Sequence, residues 1–158
     1  MINEFIKLVS SFKCAGKGVF DVIKSERNMR IHMAFAFYVI ISGIIADVSK
    51  SEWMILVLCI SSVIGAELFN TALERLCDHI STGYSERIGI VKDISAGAVL
   101  ILAVGSVVIG GIIFFNKEKI ARVVEFICDK PAFAAALFLT LPLWIYFIFR
   151  IGSRKNGN

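Results

Sequence analysis

Glu67, Asn70, Glu74 and Asp78 recur at three- and four-residue intervals in one stretch, AELFNTALERLCD. At about 100° per residue they fall within an arc of roughly 80° on one helix face. An apolar run from Trp53 to Ala66 leads directly into them. Its 14 residues cover about 21 Å of a hydrocarbon core roughly 30 Å thick. Glu67 is then expected about 10 Å short of one membrane edge and Glu74 close to that edge. Carboxylates and an amide are costly in hydrocarbon, so they mark a site facing protein or a water-filled cavity.

Phosphoryl transfer is one chemistry that such a face could serve. It needs carboxylates for Mg²⁺, a cation near the phosphates and a base for the attacking hydroxyl. Glu74 could hold an Mg²⁺ ion that arrives with a nucleotide. Glu67 lies about 10 Å from it along the helix axis, too far for both to bind one ion. That spacing suits a γ-phosphate placed between a metal carboxylate and a lipid-facing base. Lys92 could neutralise phosphate charge, with Asp93 orienting Lys92 or a nearby backbone donor. No Walker loop or protein-kinase motif is present. The same residues would also serve a polar network that holds a helical bundle together, or a proton relay. Against the relay, Ile94 to Phe115 contains no ionisable residue.

The elements that must carry this face are membrane helices. Of 158 residues, 57% are apolar, 19% are charged and two are proline, which favours an all-α polytopic membrane bundle. Residues 1–30 read as an amphipathic surface helix, with Phe5, Leu8, Val9, Phe12, Val19, Phe20 and Ile23 on its apolar side. Gly16 and Gly18 would allow a bend or a close approach in its middle. Glu26 is expected to form an i,i+4 ion pair with Arg30 or to take part in chemistry. No signal-peptide pattern is read near the start, so the first spanning segment would direct insertion.

Spans are expected at Ile31–Ala46, from Trp53 onward, at Ile94–Phe115 and at Pro131–Phe149. Asp47 to Glu52 forms the turn between the first two. His79 to Val91 reads as a polar loop, and Asn116 to Lys130 as a charged linker. Ser95, Ala96, Gly97, Gly105, Gly110 and Gly111 would let helices approach closely. Lys7, Lys13, Lys17, Lys24, Arg27 and Arg30 precede the first span and favour a cytoplasmic N-terminus, with both ends on that side. No aromatic-basic interleaving points to a nucleic-acid partner. The four cysteines show neither a CxxC pair nor metal-ligand spacing.

The string AELFNTALERLCD, followed by GYSERIGIVKDISAGAVL, resembles the small bacterial membrane lipid kinases, the diacylglycerol kinase and undecaprenol kinase family. KSERNMRIH and AGKGV look like the Gram-positive branch of that family, and the likeness runs from about Phe12 to Phe115. The resemblance implies an ATP- and Mg²⁺-dependent kinase of a membrane lipid hydroxyl in the bacterial cell membrane. It also implies a homotrimer with active sites shared between subunits. Undecaprenol is the favoured acceptor, with diacylglycerol as the alternative.

On that likeness Glu67 matches the catalytic base, and Glu26 and Glu74 match the carboxylates that hold Mg²⁺ with ATP. Lys92 and Asp93 match a phosphate- and nucleotide-contacting pair, and Gly83, Tyr84 and Ser85 fall in the nucleotide loop. Asn70 lies beside the base, and Asn28, Arg30 and His32 fall where lipid contacts are expected. His32 stands where proteobacterial members carry an acidic residue. The kinase domain is expected over 1–115. Residues 116–158, with the linker, the fourth span and a basic tail, lie outside the likeness.

Overall fold

The computed structural model describes residues 2–80 and 85–150, with side chains over 4–80 and 85–149. Six helices and no strand occur among them: α1 (Ile2–Ser25), α2 (Arg27–Ile45), α3 (Lys50–Ile80), α4 (Glu86–Phe114), α5 (Lys117–Asp129) and α6 (Pro131–Arg150). Four of them, α2, α3, α4 and α6, are long and apolar enough to cross a membrane. α3 and α4 form the most extensive pair, and α2 packs against α3 on one side and α6 on the other. The bundle is all-α, as expected.

Local chemistry explains the turn between α2 and α3. Asp47 adopts φ 50°, and the Val48 amide reaches back to the Gly43 carbonyl at 3.1 Å. This is a left-handed cap that ends a helix by satisfying its last carbonyls. α3 then opens on a reciprocal box. The Ser49 amide donates to Glu52 Oε2 at 2.8 Å, while the Glu52 amide approaches Ser49 Oγ at 3.4 Å. Ala46, Val48, Leu56 and Ile113 make a small core beneath this turn, flanked by Trp53 and Val123.

Gly43 sits against the Trp53 ring, where an added Cβ would lie 2.9 Å from Cη2. The indole is rigid and half-buried, so Gly43→Ala should overpack this end of the bundle. We expect a loss of about 1–3 kcal/mol, read by denaturant titration in micelles.

Two expected loops change. Glu86 to Val91, read as loop, is the first part of α4. Ser85 takes the extended cap conformation and its carbonyl accepts from Gly89, while Glu86 suits the positive end of the helix dipole. The linker over 116–130 contains α5, whose cap is the Asn116 side chain accepting from the Glu118 amide at 2.9 Å. α5 is held to the α2–α3 turn by a Lys119–Glu52 ion pair and by Arg122 to Asp47 at 2.6 Å.

The glycine readings change as well. α1 runs unbroken through Gly16 and Gly18, and nothing lies within 4 Å of a Cβ built at either. Gly97, Gly105 and Gly110 likewise have no close neighbour among the described residues. Within one chain, then, these three glycines of α4 do not clasp another helix. Gly110 and Gly111 instead help to hollow a groove between α2, α3 and α4.

Candidate active site

The polar arc of α3 faces the protein at its membrane end and opens toward its C-terminus. Glu67 is 2% exposed and Asn70 is also buried, whereas Glu74 is half-buried and Asp78 exposed. No described side chain hydrogen-bonds to the Glu67 carboxylate. A carboxylate withheld from water without a protein partner is costly. Such a group is suited to take a proton from a bound substrate. Glu74 and Glu26 are the carboxylates within electrostatic reach of it.

Asn70 is the junction between α3 and α4. Its Nδ2 donates to Glu74 Oε1 at 3.1 Å, and its Oδ1 accepts from Ser95 Oγ at 2.6 Å. The amide therefore orients Glu74 and ties it to α4. One turn beyond Glu67, the Thr71 hydroxyl is buried and has no partner among the described residues.

Lys92 forms an ion pair with Asp78, across the α3–α4 seam. Its expected orienter, Asp93, is exposed, one residue on and about 100° round the helix. The pairing with Asp78 follows from the early start of α4, which sets Lys92 beside the last turns of α3. Ser85 is half-buried at the head of α4, and Gly83 and Tyr84 lie outside the described residues.

Glu26 occupies the elbow between α1 and α2 in an extended conformation, φ −101° and ψ 122°. Its side chain makes no cap hydrogen bond. Arg75 Nη2 comes to 3.8 Å from Glu26 Oε1 and donates to Ser25 Oγ at 2.6 Å, fastening the elbow to α3. The expected Glu26–Arg30 ion pair is absent from the described contacts. Arg30 is 1% exposed and its guanidinium donates to the main-chain carbonyls of Ile23, Lys24 and Ile148. Buried and committed in this way, Arg30 is not turned toward a lipid headgroup. Asn28 is exposed, and His32 is half-buried at the groove.

That groove has a volume of about 420 Å³ and is lined by His32 and Phe35 of α2, Ile60 and Ile64 of α3, and Ala103 and Gly110 of α4. Ile64 precedes Glu67 by three residues, about 4.5 Å along the axis. An apolar chain lying in the groove would bring its polar end toward the buried carboxylate.

Among the described residues no group of three or more His, Cys, Asp or Glu side chains could hold a metal by itself. The oxygen donors of Glu26 and Glu74 nevertheless fit Mg²⁺, which commonly binds through one or two carboxylates plus substrate phosphates. Glu26 makes no close hydrogen bond, and Glu74 commits Oε1 to Asn70 while its other oxygen has no partner among the described residues.

Ser95, Thr71 and Arg75 stand outside the residues that the sequence marks as a site. Asp78 is already visible on the polar arc. Ser95 reads from sequence only as a small packing residue, and the contacts of Arg75 with Ser25 and Glu26 have no signal in local spacing.

The family described as prokaryotic diacylglycerol kinase matches residues 13–114, from within α1 to the end of α4, leaving α5 and α6 outside. The undecaprenol kinase of Bacillus subtilis (strain 168) is 39% identical over 115 residues, 73% of this chain and 94% of that protein. The diacylglycerol kinase of Synechocystis sp. is 36% identical over 105 residues, 66% of this chain and 60% of that protein. The diacylglycerol kinase of Haemophilus influenzae is 30% identical over 109 residues, 68% and 92% of the two chains. No solved structure matches at comparable significance. With four apolar helices and these relatives, the chain belongs to the prokaryotic diacylglycerol kinase family of membrane lipid kinases.

Proposed function

We propose that this kinase moves the γ-phosphate of ATP to the hydroxyl of undecaprenol, giving undecaprenyl phosphate. The observation that carries the reading is the buried Glu67, without a hydrogen-bonding partner among the described side chains, one turn beyond the end of an apolar groove. The choice of acceptor rests on the Bacillus subtilis undecaprenol kinase, which aligns over 94% of its length.

In this mechanism the lipid hydroxyl lies against Glu67, which takes its proton as the oxygen attacks the γ-phosphorus. The new O–P bond forms while the bond to the β-phosphate oxygen breaks, and ADP leaves. Glu26 and Glu74 hold Mg²⁺, which neutralises phosphate charge when bound. Lys92 adds a cation at the α3–α4 seam, with Asp78 holding its ammonium in place. Asp93, Gly83, Tyr84 and Ser85 contact the nucleotide. Asn28, His32 and Asn70 line the lipid side, and Arg30 acts from beneath by fixing the elbow.

Residues 1–115 make up the kinase domain, and 116–158 support it. The six basic residues before the first span support a cytoplasmic N-terminus and nucleotide site, at the bacterial cell membrane. The protein works as a homotrimer with shared sites, a reading drawn from the family resemblance. Leu58, Ile101 and Val107 leave apolar faces on α3 and α4 that could meet lipid or neighbouring subunits.

Purified protein in mixed micelles, given labelled ATP and either lipid, tests the acceptor. Undecaprenol should exceed diacylglycerol in kcat/KM by about tenfold or more. The reverse preference would make this a diacylglycerol kinase. Proton flux in vesicles without phosphorylation of either lipid would point instead to a translocating bundle.

A further inference from the structure

The helix outside the family match is joined to the elbow that carries Glu26. α1 ends at Ser25, so the carbonyls of Ile23 and Lys24 have no onward helical amide. The carbonyl of Ile148 lies in the last described turn of α6. Arg30 joins the two helices. Its Nη1 donates to Ile23 and Lys24 at 3.1 and 2.9 Å, and its Nε and Nη2 donate to Ile148 at 3.2 and 3.0 Å.

The negative end of the α1 dipole and a main-chain carbonyl of α6 thus meet one buried cation on the first turn of α2. Only a planar fork can donate in both directions, whereas a lysine is a point charge on a flexible stem.

The rest of α6 lies along the same side of α2. Tyr38 and Thr140 share a hydrogen bond of 2.7 Å, Phe37 packs on Trp144 at 5.7 Å, and Arg27 lies over Phe149 at 5.9 Å. On the helical wheel this side is roughly opposite the groove-lining residues His32, Ala36 and Val39. α6 therefore backs α2 and leaves the groove uncovered.

We propose that α6 is a positioning element of the kinase site. Docked on α2, it shares Arg30 with α1, sets the α1–α2 angle, and so holds the Glu26 carboxylate where Mg·ATP needs it. The inference rests on the reading of Glu26 as a nucleotide-metal ligand. Arg30 is a positioning residue here, because it acts through the elbow and touches neither substrate.

The test uses the full chain in nanodiscs and two readouts that do not depend on lipid turnover. Spin labels on Cys14 of α1 and on Leu58→Cys of α3, with the other native cysteines replaced and labelled chains diluted in unlabelled ones, report the elbow. Both positions are at least partly solvent- or lipid-facing. A fluorescent ATP analogue with Mg²⁺ reports affinity.

Arg30→Lys and Trp144→Ala should each broaden the label distance and weaken Mg·ATP binding by about tenfold. Thr140→Val should act in the same direction but less, and it serves if Trp144→Ala fails to fold. An unbroadened distance in all three variants would overturn the proposal, as would broadening with unchanged affinity. Wild-type affinity in Arg30→Lys would also overturn it, because charge alone would then suffice. Failure of the wild type to phosphorylate any lipid would count against the proposed function and leave these two readouts to decide the role of α6.

Discussion

Glu67→Gln is expected to lower lipid phosphorylation by about a thousandfold or more while leaving Mg·ATP affinity within about twofold. The substitution keeps the shape of a side chain that is 2% exposed. It breaks no hydrogen bond to a described side chain, since none reaches this carboxylate. What it removes is the capacity to accept a proton from the lipid hydroxyl. Burying a neutral amide costs no more than burying an unpaired carboxylate, so the variant should fold. Activity near the wild-type level would move the base to another residue.

Glu74→Gln should show the opposite pattern. The Gln carbonyl can still accept from Asn70 Nδ2, so the Asn70–Ser95 link between α3 and α4 survives. One negative charge facing Mg·ATP is lost, and kcat/KM for the nucleotide should fall by about a hundredfold. The lipid KM should stay within about twofold, because the groove ends a turn before Glu67 and does not include Glu74. Steady-state kinetics with each substrate varied in turn separates the two effects. A rise in lipid KM with nucleotide KM unchanged would contradict the assignment.

Much of the architecture could be read from local pattern. The apolar runs ending at Phe115 and Phe149 are long enough to be spans whatever surrounds them, and the acidic arc of α3 follows from helical period alone. What escaped depends on groups far apart in the chain or on cap geometry. Arg30 reads as an interfacial cation or an ion-pair partner of Glu26. Its actual acceptors include a carbonyl 118 residues away, which no spacing rule reaches.

Lys92 next to Asp93 suggests a neighbouring pair, yet adjacent helical residues diverge by about 100°. The true partner, Asp78, comes from the facing helix. α5 reads as a charged linker because Lys117, Glu118 and Lys119 open it and mask its helical period. Asn116 as cap, with Ile120, Val123, Val124 and Ile127 at helical intervals, was the missed signal.

The central claim is that carboxylates at two depths of α3 divide the work, the deeper taking a proton and the shallower holding the nucleotide. The most direct measurement is a paired titration of Mg·ATP into Glu67→Gln and Glu74→Gln under identical conditions. The account predicts wild-type affinity for the first and a loss of about tenfold or more for the second. Equal affinities in the two variants, or weaker binding only in Glu67→Gln, would contradict it.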